Sequence, residues 1–150
     1  HVRQLYGPEK VTHVITYSTI KAKQATDAMA SKGCDVITQN ADACGNGAVE
    51  ECDTLGLVNV GAVGDQSAYG ESCFLSVIQD AHQGIAAAID EAINGTLKPG
   101  PVVMGANANV VYLTGYTGKY ANLLTDEEKA TLQSVWQQAH DGVDLHTLTK

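Results

Sequence analysis

The chain has 150 residues, 44% hydrophobic and 17% charged, which is the composition of one ordinary globular domain and excludes a disordered or fibrous chain. Seventeen acids against nine Lys and Arg give a net charge of −8, which argues against a nucleic-acid partner and against attraction to an anionic membrane surface. No apolar run approaches the ~20 residues that span a bilayer.

No Met precedes His1, and residues 1–6 read as the end of a helix, so the chain is expected to be a processed product or a fragment. Gly7-Pro8 is a break. Residues 11–16, VTHVIT, form a β-branched run expected to be a first buried strand, with His13 in the core or on the sheet. Tyr17-Ser18-Thr19 is expected to be the turn beyond it. Residues 21–31 read as a helix with Ala22, Ala25, Ala28 and Met29 on one side, closed by Lys32-Gly33. Residues 34–38, CDVIT, are a second strand, and residues 39–47, QNADACGNG, a polar glycine-bearing loop. A helix over residues 48–54 stops at Gly56. Residues 57–61 are a third strand whose turn delivers Asp65-Gln66, and residues 72–78, SCFLSVI, a fourth. Strands alternating with single helices predict a parallel sheet, and burial on both faces explains why the strands read as unbroken apolar runs.

Residues 79–93 give the clearest helical spacing, through Ile85, Ala88, Ile89, Ala92 and Ile93, ended by Asn94-Gly95. Asn94-Gly95-Thr96 fits the glycosylation acceptor pattern, a short motif often met by chance. After the turn Pro99-Gly100-Pro101, residues 102–104 and 109–113 are short strand-like pieces, and residues 115–120 a loop. Thr125 and Glu128 form a capping box that starts a last helix, running to about His140 and burying Leu132, Val135, Trp136 and Ala139. There is no tandem repeat, low-complexity tract or interdomain linker. The expected fold is a single α/β domain over residues 1–150, a three-layer parallel sheet with helices on both faces.

The four cysteines, Cys34, Cys44, Cys52 and Cys73, match no zinc or redox spacing. Disulfides in any of three pairings and small buried hydrophobes fit equally. There is no nucleophile elbow, phosphate-binding loop, metalloprotease helix or dinucleotide fingerprint, and the five histidines are scattered. The expectation is a protein that is not an enzyme, with no metal and no cofactor. A binding site needs only a concave surface with a few aimed polar groups. In an open α/β sheet it lies beyond the carboxyl ends of the strands. The loops there carry Tyr17-Ser18-Thr19, residues 39–47, residues 63–66 and Gln79. Asn40, Gly45, Gly47, Asp65 and Gln79 are the candidate ligand-binding residues, suited to a polyhydroxylated or amide-bearing solute. Solvated loops with no ligand are the competing reading.

The order KAKQATDAMASKGCDVITQNADACGNG, then LGLVNVGAVGDQSAYG, then FLSVIQ resembles the basic membrane lipoprotein (BMP) family, the PnrA-like, nucleoside-binding solute receptors of ABC transporters. Five motifs fall in register from about Val11 to Gly95. The resemblance implies a type I periplasmic-binding-protein fold, of which this chain would be one lobe, the C-terminal one, plus segments returning to the other. It implies a purine nucleoside or other small polar solute as partner and an extracellular, periplasmic or membrane-anchored surface location. It also implies that the apolar helix over residues 79–93 lacks its usual cover, hence a homodimer or a missing first lobe. The two ribose-anchoring positions of the family fall on Val63 and Gln79 here, so those anchors are lost, while Asp65, Gln66 and Ser76 keep the pattern. The expected base-stacking aromatic has no counterpart unless Tyr17 fills it. The alternative is a degenerate receptor whose surface serves interaction with a host or matrix protein.

Overall fold

The structure, a computed structural model, describes residues 14–143. In chain order it contains α1 (Val14–Ala30), β1 (Val36–Thr38), α2 (Asn46–Leu55), β2 (Val58–Val63), β3 (Cys73–Gln79), α3 (Ala81–Ile93), β4 (Val111–Leu113) and α4 (Asp126–His140), with short 3-10 turns between them. The sheet order is β1-β2-β3-β4. β1, β2 and β3 are parallel, with Thr38 opposite Val60 and Val63 opposite Ile78. Asn59 pairs with Cys73 and Val60 with Leu75, so Phe74 is an additional residue that bends β3.

Alternation along β2 separates the two faces. Val58 and Val60 join Phe74 and Leu75 in a core that packs against Leu113, Tyr116, Tyr120, Leu124 and Leu132 of the α4 side. Asn59 turns to the opposite face, where its amide donates to the Ile37 carbonyl at 3.2 Å. That face is covered by α2 and is unusually polar. Buried Ser72 donates to the Val49 carbonyl at 3.0 Å, and buried Ser76 lies beneath Gly61. Pairing makes the burial of these two hydroxyls tolerable, because a buried hydroxyl without a partner costs about 1–3 kcal/mol.

Local chemistry sets the helix ends. Gly56 closes α2 in the left-handed region at φ 72°, and its N–H reaches the Cys52 carbonyl. The Asp80 carboxylate caps α3 by accepting from the His82 and Gln83 N–H groups. At α4 the capping box is complete. The Thr125 hydroxyl accepts from Glu128 N–H at 3.2 Å, and the Glu128 carboxylate accepts from Thr125 N–H at 2.8 Å. The Thr125 backbone and side-chain donors hold the Glu128 carboxyl below the usual carboxylate range. Its contribution to stability is therefore present at neutral pH and is lost as pH falls through that depressed value. Thr125→Ala is expected to lower stability by about 1 kcal/mol, read as a lower urea midpoint at unchanged m value.

Several expectations are corrected. Residues 14–16 are not the end of a strand but the first turn of α1, and Tyr17-Ser18-Thr19 lies within that helix and not in a turn. The extra cost of a β-branched residue in a helix is only a few tenths of a kcal/mol. Extending a nucleated helix adds a hydrogen bond per residue. β1 pairs directly with β2, which leaves no slot between them for another strand. Residues 1–6, Gly7-Pro8 and His13 lie outside the described residues, as does the tail from residue 144. The sheet is not wholly parallel: β4 runs antiparallel to β3. Asp80 N–H bonds to the Val110 carbonyl at 2.6 Å, so β4 begins beside the end of β3 and must run back along it. Residues 102–104 form no strand. The helix expected from residue 79 starts at Ala81, since Gln79 still belongs to β3.

Candidate functional site

The carboxyl ends of β1, β2 and β3 meet at one edge of the sheet, and three connecting segments converge there. β1 hands directly to Gln39. The Gln39 side-chain amide donates to the Gln66 side-chain carbonyl at 3.0 Å, and the Gln39 Oε1 accepts from Ala41 N–H at 2.7 Å. Gln66 is buried and its backbone N–H donates to the Ser76 hydroxyl at 3.0 Å. Ser76 N–H in turn donates to the Thr114 hydroxyl at 2.8 Å. A continuous polar chain thus ties the segment after β1, the turn after β2, the body of β3 and the exit of β4.

Each sequence-predicted residue has a definite place around this chain. Asn40 is exposed beside Gln39. Gly45 is buried, and a Cβ there would overlap the Gln39 side chain, so Gly45 makes room for the Gln39–Gln66 bridge. Gly47 is not in the loop but in the first turn of α2, where a Cβ would stand 2.5 Å from the Thr19 carbonyl oxygen. Its smallness lets α1 and α2 approach. Asp65 is exposed, and its carboxylate accepts from Ser67 N–H at 2.9 Å, closing an Asx turn. Gln79 is exposed at the last position of β3, opposite Val111. Asn40, Asp65 and Gln79 therefore present polar atoms along the sheet edge, whereas the two glycines are packing positions. Gln39 was missed as a site residue. An amide directly after a strand carries little signal, and only the fold brings it to Gln66, 27 residues on.

Val63 ends β2 at φ 72°, a left-handed conformation that a β-branched residue rarely adopts. Gly64 N–H reaches back to the Ala62 carbonyl at 2.9 Å across it, a tight three-residue turn. The backbone is thus strained at the very position where the turn leaves the sheet.

All four cysteines are free thiols, Cys34 exposed, Cys44 half-buried, Cys52 and Cys73 buried. Burial pushes the Cys52 thiol up to about 11 against the opposing effect of the Asn59 amide, and burial raises Cys73 as well. Burial thus holds both toward the thiol form. Among the described residues no three His, Cys, Asp or Glu side chains gather to hold a metal, and no helix is long and apolar enough to cross a membrane.

Residues 15–143 match the family described as ABC transporter substrate-binding protein PnrA-like. The chain also superposes on the crystal structure of a transcriptional activator of the comK gene from Bacillus halodurans, with a TM-score of 0.69 at 21% identity. That match covers 80% of this chain and 41% of the other, so the chain spans less than half of that protein's length. At this identity the match shows the fold alone. No curated protein sequence matches the chain.

Proposed function

The chain belongs to the PnrA-like family of ABC transporter substrate-binding proteins, and from that membership we propose that it forms one lobe of a receptor for a small polar solute of the purine nucleoside kind. The solute would sit outside the cell or in the periplasm against the carboxyl edge of β1–β3. One observation carries the reading: the Gln39–Gln66 bridge locks two loops at the edge where open α/β sheets bind ligands, leaving Asn40, Asp65 and Gln79 facing outward. The lobe binds and orients; it performs no bond-making chemistry.

In this reading the family's ribose anchors correspond to the positions of Val63 and Gln79. With Val63 in place of a carboxylate, ribose hydroxyls lose charge-assisted acceptors, each worth about 1.5–3 kcal/mol. The left-handed backbone at Val63 is also one that Asp tolerates better than Val. Val63→Asp is therefore expected to tighten purine nucleoside binding about tenfold or more without loss of stability. Isothermal titration of inosine, adenosine and guanosine into the full-length protein, wild type beside Val63→Asp, tests this. Heat that saturates in the variant and is weaker in the wild type supports the proposal. No heat from either folded protein rejects nucleoside recognition and favours a surface that serves protein interaction.

The second feature of the reading is α3. It is the most apolar helix, yet none of its residues is buried. Ile85, Ile89 and Ile93 are 60%, 53% and 77% exposed in one stripe, and Leu97, Val102 and Val103 lie open in the segment that follows. We propose that the 150-residue chain by itself covers this face with a second copy.

A further inference from the structure

Away from the sheet edge, on the α4 side, β4 and its exit face α4 across a cavity of about 480 Å³. Its walls are aromatic: Tyr112, Tyr116 and Trp136. Its apolar floor includes Leu75 of β3 and Leu132 of α4. Lys129, Leu132, Gln133 and Trp136 follow one another at helical spacing, so a single face of α4 supplies a cation, an aliphatic side chain, an amide and an indole. Tyr116 is held by stacking on Phe74, with ring centroids 5.0 Å apart. The Lys129 ammonium stands 5.4 Å from the Tyr116 ring centroid. No carboxylate among the described residues lies within ion-pair distance of it, although the chain carries 17 acids to nine Lys and Arg.

We propose that this cavity is a second ligand site, one that takes a small planar aromatic carboxylate. Its volume is that of ordinary small-molecule pockets, roughly 300–1,000 Å³. Flat aromatic walls favour a planar ring in offset or edge-to-face contact. A lone ammonium beside a ring surface favours an anionic group, which it binds with part of its hydration already replaced by the Tyr116 face. The site shares Thr114 with the polar chain behind the solute edge, but none of Asn40, Asp65 and Gln79 lines it.

The chain has one tryptophan, Trp136, so the cavity contains its own reporter. The test titrates the full-length protein with 4-nitrobenzoate, a non-emitting quencher. Emission is followed with selective tryptophan excitation and corrected for absorbance against free tryptophan amide. 4-Nitrobenzamide serves as the neutral comparison, and urea midpoints confirm that each variant is folded. If other tryptophans precede or follow this chain, they are replaced by phenylalanine. Saturable quenching by 4-nitrobenzoate is expected, weakened about tenfold by Lys129→Gln, which removes one charge-assisted contact. Binding of the neutral amide is expected to be unchanged by Lys129→Gln. Quenching that rises without saturation, or a carboxylate affinity that is equal in wild type and Lys129→Gln, overturns the proposal.

Discussion

Gly47→Ala is expected to destabilise the protein by about 1–3 kcal/mol, and Gly47→Val by about 3 kcal/mol or more. The sign is the informative part. Gly47 lies within α2, and on helix propensity alone Ala would stabilise it by about 1 kcal/mol. The structure opposes this, because a Cβ at Gly47 would stand 2.5 Å from the Thr19 carbonyl oxygen and 2.9 Å from its methyl group. The carbonyl belongs to the backbone of α1 and cannot swing aside, so the two helices must separate. For a domain of this size each kcal/mol lowers the melting temperature by about 2–4 °C. Thermal unfolding of the two variants beside wild type is the measurement. A stabilised Gly47→Ala would mean that α1 and α2 do not pack as described. It would also return Gly47 to the role read from sequence, an open loop glycine approached by a ligand.

On the proposal that α3 packs against a second copy, Ile89→Asp is expected to leave the chain monomeric, raising the dimer dissociation constant by about a hundredfold or more. The Ile85, Ile89 and Ile93 stripe runs along the exposed side of α3, while Gly84 faces Met104 and Val110 on the other. Soluble monomers rarely leave more than a few hundred Å² of contiguous apolar surface open. A stripe repeating every four residues can meet its own copy across a two-fold axis, each isoleucine filling the spaces of the other helix. Placing an unpaired carboxylate at the centre of that contact costs several kcal/mol. Sedimentation equilibrium of the 150-residue chain from low to high micromolar concentration reads the effect. A wild type that stays monomeric throughout removes the proposal. In a longer chain the same face could be occupied by a first lobe, and there the self-association should disappear.

Where the controlling contact is local, the fold was legible in the sequence. Thr125 and Glu128 announce the start of α4 because a capping box is closed within four residues. Gly56 announces the end of α2 because only a residue at ease with positive φ closes a helix that way. The apolar runs of β2 and β3 gave their pairing as parallel buried strands. The order of motifs gave the family, which the match over residues 15–143 establishes.

The failures have the opposite character. VTHVIT looks like a strand from its residues, but its last three open the helix Val14–Ala30, since the β-branched penalty in a helix is small. Asn40, Asp65 and Gln79 could be placed at strand ends from sequence. That Gly45 lies against the Gln39 side chain and Gly47 against the Thr19 backbone could not be read from the sequence.

The sequence by itself determined the class of fold and most of the elements, because periodicity, caps and turn chemistry act over a few residues. Only the tertiary structure decided that β4 runs backward, that Gln39 bridges to Gln66, and that Val63 is held at positive φ. It alone showed that no residue of α3 is buried among the described residues and that Trp136 and Lys129 share a cavity with Tyr116. Each of these depends on groups far apart in the chain, and their meeting is fixed by how the layers pack and not by any local preference.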